Sequence, residues 1–268
     1  MFSLKISVNM AILILLYSLI LALVLPTKTL FLNVSDQSSR IVNGKVTTID
    51  KAKFVVNLRS HGHFSCGGSL VAPKIVLTAA HCVNGLRASE LTIIGGATYL
   101  SERGIKRSVF KIYIPKEYNS RTMDMDIALL ILSKPLEGAN ISIIKLCKTK
   151  WNVGDEMTVY GWGQITEVNK TSSNQLRTVK VPVIKQKKCS DMYKGHEKIT
   201  NSMFCAGDLK GKDACTGDSG GPAVYKNQLC GVVSWGTGCA RKNFPGVYAN
   251  IIFAREYIDK IMKNFGSY

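Results

Sequence analysis

The chain has 268 residues, enough for one large domain or two small ones with a sizeable buried core. Its hydrophobic content of 46% is ordinary for a globular protein, and its 23 glycines favour strands and turns. The net charge of +17 predicts a basic surface that could bind a polyanion, such as a glycosaminoglycan or an anionic membrane, without identifying one. No nucleic-acid-binding motif is present, so we expect no nucleic-acid partner.

The N-terminal segment, residues 1–26, predicts entry into the secretory pathway. Lys5 provides a short basic start, and Met10 to Leu25 form an apolar run of 16 residues. That run is short for a membrane span and is typical of a signal peptide, so we expect a secreted, extracellular protein. Ala22-Leu23-Val24 is only half of a small-residue cleavage site. An uncleaved signal-anchor that tethers the protein to a membrane therefore stays open as the alternative.

Residues 27–40 are polar and cysteine-free, which is typical of a linker or pro-segment. They end at Arg40, directly before Ile41 in the stretch "SSRIVNG". From Ile41 to the end of the chain, residues 41–268, nothing marks a second independent domain.

Short apolar runs alternate with Gly, Asn and Pro from Ile41 onward, about every ten to fifteen residues. This rhythm predicts an all-β sandwich or barrel. The runs are "FVVNL", "SLVAPKIVLTAA", "LTIIGG", "IALLIL", "MTVYGWG", "VKVPVI" and "CGVVSWG". The one long helix that the pattern predicts is terminal, in "NIIFAREYIDKIMKNF", where apolar residues recur at i, i+4 spacing.

The cysteines and sequons agree with an extracellular protein. An even number of cysteines in a chain that enters the secretory pathway predicts four disulfides. The eight are Cys66, Cys82, Cys147, Cys189, Cys205, Cys215, Cys230 and Cys239. The absence of a C-x-x-C pair argues against a zinc ribbon or a thioredoxin-like site. Asn33, Asn140 and Asn169 lie in N-x-[ST] sequons and are candidate glycosylation sites.

Three segments carry the residues that acyl transfer needs: "LTAAHC" with His81, "MDMDIALL" with Asp126, and "DACTGDSGGP" with Ser219. A serine hydroxyl is a weak nucleophile and needs a base with a pKa near neutrality, which histidine provides. A buried carboxylate that accepts the other imidazole N–H holds the histidine in one tautomer. Gly217 and Gly220 permit the tight turn that aims backbone N–H groups at a developing oxyanion.

With these motifs in order, residues 41–268 resemble the trypsin-like serine proteases of the chymotrypsin fold. The shared motifs are "IVNG", "LTAAHC", "DIALL", "YGWG", "MFCAG", "GDSGGP", "VSWG" and "PGVY". The resemblance implies two six-stranded antiparallel β-barrels with the active site between them and a closing C-terminal helix.

The resemblance also implies roles for individual residues. His81 would be the general base, Asp126 its orienting partner and Ser219 the nucleophile. The N–H groups of Gly217 and Ser219 would form the oxyanion hole, and Ser234 would support the buried aspartate. Asp124 lies outside the motif, and we expect it to be an ordinary surface residue.

Substrate preference would depend on Asp213, which matches the floor of the family's primary specificity pocket. A carboxylate in a narrow desolvated slot favours a cationic side chain, so we expect cleavage after Arg or Lys. Gly236 and Gly246 match the pocket walls, and Trp235 precedes the first of them. Ala214 replaces a hydroxyl residue that often helps to hold lysine, so we expect Arg to be preferred over Lys.

The resemblance implies the disulfides Cys66–Cys82, Cys189–Cys205 and Cys215–Cys239. The usual fourth bridge is missing because its two positions are Met157 and Tyr225 in this chain. Cys147 and Cys230 remain, and parity predicts that they pair. In vertebrate trypsins the matching loop holds calcium with carboxylates, whereas here Glu102 is followed by Lys106 and Arg107. We therefore expect no metal site and no cofactor.

The resemblance further implies a zymogen. Cleavage between Arg40 and Ile41 would create an α-amine that pairs with Asp218. The expected partners are protein or peptide substrates and protein protease inhibitors, and the expected form is a monomer. A catalytically silent homologue that acts as a binding adaptor and a membrane-tethered protease are the alternatives. The first would need a broken triad, and the second would retain residues 1–26.

Overall fold

A computed structural model describes residues 44–164, 172–208, 217–239, 241 and 243–265. These residues form mainly antiparallel strands, together with a short helix α1 (Gln186–Met192) and a C-terminal helix α2 (Arg255–Phe265). No helix in these ranges is both long enough and apolar enough to cross a membrane.

A short strand β1 (Lys45–Val46) leads into the first barrel, which closes in the order β2-β3-β4-β7-β6-β5. Its strands are β2 (Val55–Ser60), β3 (His63–Ala72), β4 (Ile75–Thr78), β5 (Leu91–Gly95), β6 (Ile105–Tyr113) and β7 (Ala128–Leu132). Branched aliphatic side chains such as Leu58, Ile93 and Leu129 are completely buried in its core. Ile258 of α2 belongs to the same core, so the terminal helix packs against the first barrel.

The second barrel has the order β10-β11-β14-β13-β12-β9 and closes where β9 pairs with β10. Its strands, with the short parallel partner β8, are β8 (Lys145–Leu146), β9 (Glu156–Gly161), β10 (Arg177–Ile184), β11 (Met203–Ala206), β12 (Pro222–Tyr225), β13 (Gln228–Trp235) and β14 (Gly246–Asn250). Two closed six-stranded antiparallel barrels and a C-terminal helix confirm the predicted fold class.

The local patterns predicted most strands but not all of them. Strand β10 alternates buried and more exposed side chains along its whole length, as a strand with one face on a core must. Strand β6 was not predicted, because its sequence "IKRSVFKIY" carries four polar residues among the apolar ones. Helix α2 begins at Arg255, five residues after the Asn250 at which the apolar pattern starts.

Three disulfides have both sulfurs among the described residues: Cys66–Cys82, Cys147–Cys230 and Cys189–Cys205. Cys239 is also disulfide-bonded, and its expected partner Cys215 lies outside the described residues. The Cys147–Cys230 bridge has a simple cause in the register of the sheet. Leu229 of β13 lies beside Leu146, the last residue of β8, in a parallel pair, so the residues that follow them, Cys230 and Cys147, face each other.

At the two positions where the family usually has its fourth bridge, other contacts replace it. Met157 is completely buried in the core of the second barrel. The Tyr225 hydroxyl donates a hydrogen bond of 2.6 Å to the Asp155 carboxylate.

Candidate active site

His81 lies on a short 3-10 turn, Ala80–Cys82, that follows strand β4. The disulfide between Cys82 and Cys66 ties this turn to strand β3. The side chain of His81 is 22% exposed, so the imidazole is mostly enclosed but not fully buried. The histidine is therefore held by the covalent frame of the first barrel yet remains accessible.

Asp126 has a completely buried side chain just before strand β7. Its Oδ2 accepts hydrogen bonds from His81 Nδ1 at 2.7 Å and from Ser234 Oγ at 2.5 Å. Its Oδ1 accepts a hydrogen bond from the His81 backbone N–H at 2.9 Å. An ionised carboxylate can only accept, so His81 must carry its proton on Nδ1. The other ring nitrogen, Nε2, is then left as the basic one.

The phenol of Tyr118 has a raised pKa, because of burial and in part because of the charge of Asp126. Burial, and to a lesser extent the negative charge of Asp126, raise the pKa of the Tyr118 phenol. Both causes penalise the anionic form of the phenol.

Ser219 lies in a tight turn that packs directly on the strand leading to His81. The Gly67 N–H donates a hydrogen bond of 2.8 Å to the Ser219 carbonyl, and Thr78 Oγ1 donates one of 2.8 Å to the Gly67 carbonyl. Thr78 is the last residue of β4, three positions before His81. This hydrogen-bonded path joins the backbone of Ser219 to the segment that carries the histidine.

Gly220 is required at this contact. Its φ is +77°, and a Cβ there would lie 2.2 Å from Thr78 Oγ1 and 2.5 Å from the Gly67 carbonyl oxygen. Its N–H donates to the Val233 carbonyl at 2.8 Å, next to Ser234, which binds Asp126. Hydrogen bonds and short backbone segments thus connect Ser219, His81 and Asp126 to one another across the two barrels.

Asp218, beside Ser219, is completely buried. Its Oδ1 accepts a hydrogen bond of 2.8 Å from the Gly163 N–H. A Cβ on Gly161 would lie 2.1 Å from Oδ1, and one on Gly163 would lie 2.5 Å from Oδ2. The two glycines of "YGWG" are therefore needed because the Asp218 carboxylate lies against their backbone.

The comparisons with known proteins agree with this geometry. The trypsin family model matches residues 41–260. Seminase of Drosophila melanogaster is 42% identical over 227 residues, covering 84% of this chain and 82% of the relative. Trypsin eta of the same fly is 42% identical over 241 residues, covering 85% and 90%. The vitellin-degrading protease of Bombyx mori is 40% identical over 229 residues, covering 84% and 86%.

The chain belongs to the trypsin family. It is accordingly a trypsin-like serine endopeptidase, and protein or peptide substrates follow from that membership.

In this trypsin-family chain, the two residues predicted to form the wall of the primary specificity pocket lie next to each other. A Cβ added to Gly236 would lie 3.9 Å from the Cα of Gly246, so the two predicted wall positions are neighbours without side chains between them. Trp235 is half-buried, and its ring meets Tyr193 edge to face at 4.9 Å between centroids. The predicted pocket floor, Asp213, lies outside the described residues, as does its neighbour Ala214.

Several other predicted residues also lie outside the described ranges. They are Arg40, Ile41, Asn33 and Asn169. Gly217 is described, half-buried, with φ +94°. Asn140 is exposed on a turn, so its amide nitrogen is accessible for glycosylation.

Asp124, which was expected at the surface, is only partly exposed and has hydrogen-bond partners that the sequence did not predict. Asp124 is half-buried, and its Oδ1 accepts hydrogen bonds from Thr200 Oγ1 and Ser202 Oγ of the second barrel. Sequence reasoning missed these partners because they lie 76 and 78 positions away. Sequence reasoning also missed the hydrogen bond from Thr78 to the Gly67 carbonyl. The position of this threonine at the end of the strand before "AAHC" could have indicated its importance.

One group of metal-ligand side-chain types occurs in the described part of the chain: Cys66, His81 and Cys82. The two sulfurs are bonded to each other, so neither is available as a thiolate ligand. In the loop compared with the calcium site, the Glu102 carboxylate accepts hydrogen bonds from the backbone N–H groups of Thr98 and Tyr99.

Proposed function

We propose that the protein is a secreted zymogen that is activated by cleavage after Arg40. The activated enzyme hydrolyses peptide bonds after Arg or Lys, with Ser219 as nucleophile, His81 as general base and Asp126 as the group that orients the histidine. The observation that carries this proposal is the buried Asp126 carboxylate, hydrogen-bonded to both His81 Nδ1 and the His81 backbone.

The chemistry follows from the tautomer that Asp126 imposes. With its proton on Nδ1, His81 accepts the Ser219 hydroxyl proton at Nε2 while the serine oxygen attacks the scissile carbonyl. The N–H groups of Gly217 and Ser219 then stabilise the oxyanion of the tetrahedral intermediate. The imidazolium returns the proton to the leaving amine, and water hydrolyses the acyl-enzyme by the same steps in reverse.

The neighbouring Gly236 and Gly246 support a preference for long side chains, since a pocket wall made of glycines has no side chain that would obstruct a long residue. Asp213 supplies the negative charge that a guanidinium or ammonium would neutralise in this slot. Trypsin-directed protein inhibitors would enter the same cleft.

Asp213→Ser is expected to lower kcat/KM on Arg substrates by about 10²- to 10⁴-fold, because removing one member of a buried ion pair costs roughly 3–5 kcal/mol. A peptide-library screen with activated enzyme measures this and should show cleavage after Arg, then Lys. Asp191→Ser is the matched control, since Asp191 is exposed and pairs with Lys187 on α1. Cleavage mainly after aromatic or small residues by the wild type would overturn the role of Asp213.

Activation has physical support near the cleavage point. Arg177, a buried residue, donates a hydrogen bond of 3.2 Å to the Gly44 carbonyl, and β1 pairs with β10 directly after it. Ile41 is three residues before Gly44, so a new N-terminus could reach roughly 10 Å from that anchored point. We propose that the α-amine then pairs with the buried Asp218 carboxylate, since an opposite charge offsets the cost of burying one.

Because the enzyme's own preference matches Arg40, activation in trans by the same enzyme is expected. Active wild-type protein should cut the Ser219→Ala zymogen between Arg40 and Ile41, as N-terminal sequencing would show. The Arg40→Gln form of that zymogen should stay intact. An uncut Ser219→Ala zymogen would mean that a separate activator is required.

N-terminal sequencing of the protein from the medium and from the cells would distinguish a secreted protein from one that retains its signal-anchor.

A further inference from the structure

We propose that Asp124 is a positioning residue for catalysis. Together with Thr200 and Ser202 it holds the segment that carries Asp126, and so maintains the hydrogen bond between Asp126 and His81. This inference rests on the catalytic roles proposed above for His81 and Asp126.

The three side chains form a compact hydrogen-bonded cluster, here called the Asp124 clamp. Asp124 Oδ1 accepts hydrogen bonds from Ser202 Oγ at 2.5 Å and from Thr200 Oγ1 at 2.7 Å. The two hydroxyl oxygens are 2.9 Å apart. Ser202 is 3% exposed, and its Oγ also accepts a hydrogen bond of 3.0 Å from the Met125 backbone N–H. Ser202 thus bonds both the side chain of Asp124 and the peptide group that follows it.

The backbone around the clamp needs external support. Met123 and Met125 both have left-handed conformations, with φ of +55° and +52°. Residues with a Cβ seldom adopt this region and persist there when the surrounding structure imposes it. The Ile127 N–H donates to the Met125 carbonyl at 2.7 Å, which closes a tight turn around Asp126 itself. The direction of the Asp126 side chain therefore depends on the backbone of Met125, which Ser202 holds.

The clamp joins the two barrels beside the triad. Asp124 precedes β7 of the first barrel, whereas Thr200 and Ser202 precede β11 of the second. The Ser202 carbonyl accepts a hydrogen bond of 2.8 Å from the N–H of Asn250, the last residue of β14. Ser234 of the second barrel also bonds Asp126, so the second barrel holds both the Asp126 carboxylate and the backbone N–H of the preceding Met125.

The carboxylate has a specific advantage at position 124. It accepts from both hydroxyl groups with charge-assisted hydrogen bonds, which are about twice as strong as neutral ones. An asparagine would keep an acceptor oxygen but lose the charge, and an alanine would lose both. Activity should therefore fall in the order Asp, Asn, Ala if the clamp positions Asp126.

The test compares activated wild type with Asp124→Ala, Asp124→Asn and Ser202→Ala. Asp124→Ala and Ser202→Ala should lower kcat by about 10- to 100-fold, because displacement of a catalytic group by about 1 Å has effects of that size. KM should stay within about twofold, since the interaction lost acts on the transition state. Asp124→Asn should retain most of the wild-type kcat that Asp124→Ala loses. Asp155→Ala is the matched control, because Asp155 also accepts two hydrogen bonds, from Asn152 N–H and Tyr225 O–H.

A second readout separates positioning from general stability. The proton between His81 Nδ1 and Asp126 should give a far-downfield proton NMR signal in wild type and in Asp155→Ala. In Asp124→Ala it should shift upfield or broaden. An unchanged signal and unchanged kcat in Asp124→Ala and Ser202→Ala would overturn the inference, even if both variants melted earlier. A wild type without turnover would contradict the proposed function instead, and the NMR comparison would still test the clamp.

Discussion

Ser219→Ala is expected to lower kcat by about 10⁶-fold on an Arg p-nitroanilide substrate, as loss of a nucleophile in a serine triad does elsewhere. The fold should be unaffected, since the turn is held through the Ser219 carbonyl and the N–H of Gly220, which the substitution retains. His81→Ala should be almost as severe, and the double variant no worse than either, because the two groups act in one proton transfer. Steady-state kinetics on activated protein measure all three.

The control for this series is Ser108→Ala, which alters an exposed serine of β6. It should retain wild-type kcat and should still be labelled by a serine-directed covalent inhibitor, whereas Ser219→Ala should not be labelled. Turnover by Ser219→Ala within about tenfold of wild type would be incompatible with an acyl-enzyme at this residue.

Asp126→Asn is expected to lower kcat by about 10⁴-fold with little change in structure. Asp126 accepts three hydrogen bonds: from the His81 ring, the His81 backbone and the Ser234 hydroxyl. An asparagine has one acceptor oxygen, which the backbone N–H would keep, and its NH₂ group would face the imidazole. His81 would then hold its proton on Nε2, the nitrogen that must accept the proton from Ser219.

The kinetics of Asp126→Asn should be measured beside Asp155→Asn, which removes the same charge from a hydrogen-bonded aspartate in the second barrel. Proton NMR should show the far-downfield His81 signal in Asp155→Asn, and the signal should be absent in Asp126→Asn. A loss of less than about 10²-fold in Asp126→Asn would mean that the carboxylate does not control the tautomer of His81.

Much of the fold and of the site could be predicted because its signals are local. Each of His81, Asp126 and Ser219 lies in a short segment with a characteristic neighbourhood. The buried strands show apolar runs punctuated by turn residues, so period and punctuation predicted an all-β barrel or sandwich. Strand β6 escaped this reasoning because its polar outer face interrupts the pattern.

The pairing of Cys147 with Cys230 could be predicted from the sequence, but the reason for it is found only in the structure. Once the family resemblance had implied the other three bridges, the even cysteine count required Cys147 and Cys230 to pair if all eight cysteines are oxidised. The sequence contains no sign of why they are neighbours. The parallel register of β8 on β13 supplies that reason, since it aligns Leu146 with Leu229 and so brings the following residues together.

By itself, the sequence determined the fold class and the family, and it proposed a histidine, an aspartate and a serine as the catalytic groups, because each lies in a recognisable motif. Only the tertiary structure decided how those groups are held. The bonds from Thr200 and Ser202 to Asp124 join residues more than seventy positions apart. Likewise, Gly161 and Gly163 are needed because the Asp218 carboxylate lies against them. Such requirements arise where segments distant in sequence meet, and short-range sequence patterns report burial along one strand rather than contact between distant ones.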